Sequence, residues 1–388
     1  MSNPIMNTYG SPSVSFVKGE GAWLTDDNGN RYLDALSGIA VVALGHAHPG
    51  VAETISRQAS TLVHTSNLYG IPNQRKLAET LTSIAGMDNA FFANSGAEAN
   101  EAAIKITRLY GRNKGIANPA LIVMDGSFHG RTLATLTATG SRKVHAGFEP
   151  LVEGFVRAPF DDVESVKAIA ANNPNIAGIL VEPVLGEGGV HIPADNYLAE
   201  LRAICDQNDW LLVLDEVQTG NGRTGTYFAY QQTNVLPDVV TTAKGLGNGM
   251  PIGICMARGK AAEVFGPGNH GSTFGGNPLA TAVAQTVVDT IVNDKLAERA
   301  GELGERMRDR LRGSLEGVNC VKEIRGKGLM IGVELDAPCP DFVAKAQEKG
   351  VLLNVTADSV IRLLPPLVLS DAEAEQICDV VADLVEAI

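Results

Sequence analysis

Six short apolar runs, each followed by a stretch long enough for a helix, limit what this chain can fold into. They are Ala90–Phe92, Leu121–Met124, Phe155–Val156, Ile179–Val181, Leu211–Leu214 and Val239–Val240. A run that is apolar at every position must be covered on both faces, as strands of a parallel sheet between layers of helices are. From about Gln74 to Ala387 the alternation therefore predicts an α/β chain with a mostly parallel sheet flanked by helices. With 388 residues, the chain has room for a large domain and a smaller one.

The flanks read differently. Residues 14–34 alternate apolar and polar positions around Asp27-Asn28-Gly29-Asn30, which predicts a β-hairpin. After Pro278 a long amphipathic helix is expected, carrying Val287, Val288, Ile291 and Val292 and then Leu296, Leu303, Met307 and Leu311. The segments VKEIRGKGLMIGVEL and VLLNVTADSVIRLLPPL read as strands of a second, smaller sheet. The last helix opens with the capping box Ser370-Asp371-Ala372-Glu373 and carries Ile377, Val380, Val381, Leu384 and Ile388 on one face.

The formal net charge of −13 argues against nucleic acid or an anionic membrane as a partner, since either needs a basic face. No run of transmembrane length is present. The opening MSNPIMNTYG lacks the basic patch and apolar core of a signal peptide, so a cytoplasmic location is expected. Five cysteines, far apart and with no CxxC pair, suggest buried thiols rather than disulfides or zinc. His46 and His48, in GHAHP, admit a metal reading or a loop packed near a site. No third ligand is present at a suitable spacing, and no metal is expected.

The chemistry gathers where the apolar runs end, which is where open α/β sheets bind ligands. Trp210–Leu214 delivers Asp215, Glu216 and Gln218. Val239-Val240 delivers Lys244 to a turn containing Gly245, Gly247 and Gly249, whose spacing is not that of a dinucleotide fingerprint. Asn94-Ser95-Gly96-Ala97-Glu98-Ala99-Asn100 opens a helix, and is either an anion site or an ordinary N-cap. In Ser127-Phe128-His129-Gly130-Arg131, Phe128 has the shape to stack on a flat ring and Arg131 the fork to hold a carboxylate, although a Phe after a strand is more often core and an Arg after a Gly more often surface. Glu182 and Glu187, in VEPVLGEGGV, are acids at another strand end or in a solvated loop. An acid and a lysine on neighbouring strand ends suit pyridoxal phosphate: the lysine bonds the aldehyde, and the acid keeps the pyridine nitrogen protonated. An anion nest, a Phe, two Glu, an Asp and a Lys at successive strand ends would all open onto one crevice.

Over nearly its whole length the chain resembles the class III, ornithine-type aminotransferases of the fold-type I pyridoxal-phosphate enzymes. The resemblance rests on NSGAEAN, SFHGR, EPVLGEGGV, LDEVQTGNGRTG, AKGLGNGMPIG and STFGGNPLA. Within that family, GIAVVALGHAHP and the short N-terminus are most similar to the acetylornithine branch. The resemblance implies residues 61–276 as the large cofactor-binding domain, 277–388 as a small C-terminal α+β domain, and 1–60 as a segment joining the small one. It implies that Lys244 carries pyridoxal 5'-phosphate and moves the proton, that Asp215 pairs with the pyridine nitrogen, and that Gln218 meets the phenolic oxygen. Phe128 and Val217 would sandwich the ring. Ser95, Gly96 and Ala97 would hold the phosphate, joined by Thr273 from the second subunit of a homodimer. Ala97 stands where the family commonly has a hydroxyl residue, so its contact can only be through the backbone. Arg131 would take the α-carboxylate, and Glu187 with Arg362 would select between substrates. The implied reaction moves the δ-amino group of N2-acetylornithine to 2-oxoglutarate. The alternatives are ornithine, succinylornithine, succinyldiaminopimelate or 4-aminobutyrate as donor, or an intramolecular aminomutase.

Overall fold

A computed structural model describes residues 4–388 of the chain. Residues 1–3, which begin both MSNPIMNTYG and the expected 1–60 segment, lie outside the described residues. All the predicted runs form strands: β1 (Asn89–Ala93), β2 (Ala120–Met124), β3 (Phe155–Ala158), β4 (Ile176–Val181), β5 (Leu211–Asp215) and β6 (Val239–Thr242). A strand that the apolar pattern did not announce, β7 (Gly253–Ala257), completes a seven-stranded sheet of order β1-β7-β6-β5-β4-β2-β3. Every neighbouring pair is parallel except those of β7, which runs antiparallel between β1 and β6.

Why the runs are unbroken in hydrophobicity is visible in β5. Leu211 and Val213 join the buried cluster that includes Ala102, Ala103 and Ile106 of the helix Gly96–Asn113. Leu212 and Leu214 join the cluster on the other face with Tyr197, Leu201 and Val240. Side chains alternate across a strand, so a sheet covered twice needs apolar residues at both parities. Truncating one such leucine to alanine costs about 2–5 kcal/mol.

The N-terminal hairpin is present with one strand more than expected: Phe16–Glu20 pairs with Trp23–Asp26, which pairs with Arg31–Asp34. Asp26 Oδ1 makes the turn by accepting from the Asn28 and Asn30 amides at 2.9 and 2.8 Å. Arg31–Asp34 also pairs in parallel with Val351–Leu352, hydrogen-bonding the N-terminal and C-terminal parts of the chain to each other. The expected second sheet is antiparallel, with Val321–Lys327, Met330–Leu335, Val360–Leu363 and Asn354–Thr356 in spatial order, but Val351–Leu352, expected in it, pairs instead with the N-terminal strands.

The single long helix expected after Pro278 is two, Pro278–Asn293 and Leu296–Ser314. The break falls at Asp294-Lys295, where Lys295 takes a left-handed φ of 53° that no helix can propagate. The terminal helix Asp371–Glu386 is capped as expected, Ser370 Oγ accepting from Glu373 N and the Glu373 carboxylate from Ser370 N. Among the described residues no helix is long and apolar enough to cross a membrane.

Candidate active site

Five parallel strands end on one edge of the sheet, and the loops leaving them wall a cavity of about 250 Å³. β1 leads to Gly96 and Ala97, β2 to Phe128–Arg131, β4 to Glu182 and Glu187, β5 to Asp215, Val217 and Gln218, and β6 to Lys244. A helix begins immediately after β1, so the Gly96 and Ala97 amides have no intrahelical acceptor and carry the positive end of the dipole. A side chain at Gly96 would force Val217 to move, since a Cβ would stand 2.7 Å from Val217 Cγ1.

Asp215 is 3% exposed. Its Oδ2 meets His129 Nδ1 and Asn100 Nδ2, each at 2.7 Å, and its Oδ1 accepts from the Val217 amide at 3.0 Å. The orientation of Asn100 is fixed from behind, because its Oδ1 accepts from Thr241 Oγ1 at 2.7 Å and its Nδ2 also donates to the His129 carbonyl. An ionised Asp215 makes Nδ1 the protonated nitrogen of His129, and the buried Nε2 has no partner among the described residues. Charge-assisted bonds of this kind hold a carboxylate in place at about 1.5–3 kcal/mol each.

Lys244 begins a tight turn, Lys244–Gly247, with φ 45°. Burial pushes its ammonium below the usual lysine range, and Arg362 adds to that, against the opposing pull of Glu187 and Asp215. An amine so depressed is closer to the neutral, nucleophilic form at physiological pH. Glu182 is buried rather than solvated and accepts from the Phe128 amide at 2.7 Å and the Gly186 amide at 3.2 Å. It thereby fixes the loop that presents Phe128. Burial raises its carboxyl well above the ordinary range. The Arg131 guanidinium lies 5.6 Å from the centre of the Phe128 ring.

Arg362, on the strand Val360–Leu363 of the second sheet, is fully buried. Its Nη1 donates to Glu187 Oε1 at 2.6 Å and to Gln218 Oε1 at 3.4 Å, and its Nε to Asn354 Oδ1 at 3.1 Å. Nη2 is buried without a partner among the described residues. Gln218 Nε2 donates to the same Glu187 oxygen at 3.3 Å. Burial alone would raise the Glu187 carboxyl, but the Arg362 charge and hydrogen bond outweigh it and keep it below the usual range.

Most of the residues singled out from sequence thus meet around one cavity. Ser95 stands just outside the wall, its Oγ accepting from Glu98 N at 3.2 Å. Arg362 stands behind Glu187, and Thr273 is exposed on the 272–276 loop, away from this cavity. Sequence reasoning gave no role to Asn100 or His129. Their one signal was a polar side chain in motifs otherwise explained, NSGAEAN and SFHGR. His46 is occupied by Asp34 at 2.8 Å, and Asn248, just past the Lys244 turn, fastens the same loop through Leu44 N and Gly45 O.

A helix N-terminus with free amides, a carboxylate held by neutral donors and a depressed lysine amine, all facing one cavity, fit a flat cationic ring that bears a phosphate and an aldehyde. A family model described as Aminotransferase class-III matches residues 5–385. The chain belongs to the class III aminotransferases. Its cofactor is accordingly pyridoxal 5'-phosphate. An acetylornithine aminotransferase of Nitrosomonas europaea is 58% identical over 381 residues, covering 98% of this chain and 97% of that protein. An ornithine aminotransferase of Toxoplasma gondii, whose structure has partial occupancy of PLP at the active site, superimposes with a TM-score of 0.94 at 37% identity, covering 98% of this chain and 92% of that one. An acetylornithine aminotransferase of Elizabethkingia anophelis gives 0.89 at 33%, covering 98% and 96%.

Proposed function

We propose that this aminotransferase moves the δ-amino group of N2-acetylornithine to 2-oxoglutarate, giving N-acetylglutamate 5-semialdehyde and glutamate, a step of arginine biosynthesis. The observation that carries this reading is the buried Arg362 masked by Glu187 beside the Lys244 cavity. Transamination alternates a donor with one α-carboxylate and an acceptor with two. Arg131 holds a carboxylate in both halves, and a second cation is needed only for the dicarboxylate. Glu187 neutralises Arg362 while the donor reacts and leaves it when 2-oxoglutarate arrives, so selectivity comes from a conditional charge pair. The relative at 58% identity, named for acetylornithine, supports the choice of donor.

Bound in the cavity, pyridoxal phosphate would supply an aldehyde able to bond an amine and a ring able to delocalise negative charge. Lys244 would bond the aldehyde of the cofactor, and its amine would move the proton at the amine-bearing carbon. Asp215, oriented by His129 and Asn100, would hold the proton on the ring nitrogen. Gln218 would meet the phenolic oxygen, Phe128 and Val217 would cover the two ring faces, and Ser95, Gly96 and Ala97 would bind the phosphate, Ala97 through its backbone alone. Thr273 completes the phosphate site of the partner in a homodimer, which agrees with its position away from its own cavity. We also infer that residues 1–60 and 277–388 form the smaller domain against 61–276, supported by the pairing of Arg31–Asp34 with Val351–Leu352, and that the enzyme works in the cytoplasm.

A second reading, ornithine as donor, is favoured by the TM-score of 0.94 to the Toxoplasma gondii ornithine aminotransferase. Single-turnover reaction of the purified enzyme with N-acetylornithine, ornithine, succinylornithine, succinyldiaminopimelate and 4-aminobutyrate, followed by cofactor absorbance, decides between them. N-acetylornithine should react fastest, and a clear preference for any other donor refutes the proposal.

A further inference from the structure

Within NSGAEAN, Glu98 takes no part in the chemistry of the cavity. Its position calls for a reason, because a carboxylate in the first turn of a phosphate-binding helix repels the phosphate it stands beside. Glu98 makes no salt bridge among the described residues. Its Oε2 instead accepts from both the backbone amide and the side-chain Nδ2 of Asn94, each at 2.8 Å. Its own amide is bound by Ser95 Oγ at 3.2 Å. These bonds close a loop around Ser95 and set the direction in which the Gly96 and Ala97 amides point. The other Nδ2 proton of Asn94 goes to Ser272 Oγ at 3.3 Å, and Ser272 Oγ in turn accepts from Gly275 N at 3.0 Å. Asn94 therefore connects the cradle to the loop that carries Thr273. The same helix also holds the chain just before that loop, through Lys105 Nζ to the Asn269 carbonyl at 2.9 Å and to His270 Nδ1 at 3.0 Å.

We propose that Glu98 is a positioning residue that joins the phosphate cradle of its own subunit, through Asn94 and Ser272, to the loop serving the partner's phosphate, so that filling one site orders the other. This rests on the shared-site reading of Thr273. When phosphate binds the Gly96 and Ala97 amides it fixes the first helical turn. That turn fixes Glu98 and Asn94, and Asn94 fixes the 272–276 loop beneath the second cofactor. Two sites that order one element bind cooperatively, with coupling typically of about 5–150-fold.

The test is equilibrium titration of the cofactor-free dimer with pyridoxal phosphate, read by absorbance and fluorescence rather than turnover. The parent should bind with a Hill coefficient of about 1.5. Glu98→Ala should bind with a coefficient of about 1 and a midpoint raised about tenfold. Glu98→Gln loses the charge but keeps an oxygen for both Asn94 donors, and should stay within about threefold of the parent and remain cooperative. Should Glu98→Ala not fold, Asn94→Ala cuts the same connection and should abolish cooperativity likewise. A non-cooperative parent, or Ala and Gln variants that behave alike, overturns the proposal. Thr273→Ala separates the two layers. If it binds the cofactor as the parent does, the shared site falls, and the proposal with it. If it weakens binding while Glu98→Ala and Asn94→Ala do not, the shared site stands and the proposed connection alone is wrong.

Discussion

Replacing Glu187 with glutamine should convert a masked arginine into an open one. Arg362 is fully buried and its Nη1 donates to Glu187 Oε1 at 2.6 Å and more weakly to Gln218, while Asn354 holds its Nε. A dicarboxylate entering the parent must displace a charge-assisted bond worth about 1.5–3 kcal/mol, whereas a bond to the neutral glutamine oxygen is worth roughly half as much. The relative barrier for glutamate-like substrates should fall by about 1.4 kcal/mol, or tenfold in rate. In single-turnover half-reactions followed by cofactor absorbance, Glu187→Gln should therefore react about tenfold faster with glutamate relative to N-acetylornithine. The rate with N-acetylornithine itself should fall or stay level. A ratio within about twofold of the parent's, only about 0.4 kcal/mol in relative barrier, would mean that the pair is a static salt bridge and the switch does not exist.

Asp215→Asn should still bind pyridoxal phosphate but lose at least about 100-fold in half-reaction rate, since a neutral amide cannot hold the ring proton; transamination at the parental rate excludes the role. Glu216, beside it in sequence, is buried with its carboxyl pushed up to about 7 by burial, against the Thr219 hydroxyl and the Tyr230 amide. The folded chain keeps that proton where the unfolded chain, with an ordinary value of 4.5, has released it. Its contribution to stability is therefore full below about pH 4.5 and lost as the pH rises through about 7. Glu216→Gln should remove up to about 3 kcal/mol of that loss and unfold at or above the parental midpoint at pH 8; thermal melts across pH that keep the parent's slope would contradict it. Mixing Lys244→Ala with Thr273→Ala protein under subunit exchange should restore activity through one intact site per heterodimer, and no recovery despite proven exchange counts against sharing.

The strands of the large sheet were legible because each is buried on both faces, which leaves a continuous apolar word such as Leu211–Leu214. β7 was not, because GICMA contains a glycine and no run of β-branched residues, and an antiparallel intruder in a parallel sheet has no sequence signature of its own. The break at Asp294-Lys295 was hidden for a related reason: Leu296, Leu303, Met307 and Leu311 continue the apolar face, and only the backbone of Lys295 turns. Lys244, Asp215 and Glu187 could be found because charges at the ends of apolar runs are costly to bury without purpose. His129 and Asn100 could not, since their work is to orient Asp215, and a side chain whose partner lies 86 or 115 residues away leaves no local pattern. Arg362 was reached only through resemblance, because nothing in IRLL announces that its guanidinium faces Glu187.

Every role assigned around the cavity depends on the identity of one amine. Borohydride reduction of the purified enzyme with its cofactor, followed by proteolysis and mass mapping, should leave a single pyridoxyl group on the peptide containing Lys244. A pyridoxyl group on any other lysine, with Lys244 unmodified, would contradict the site and all the chemistry built on it.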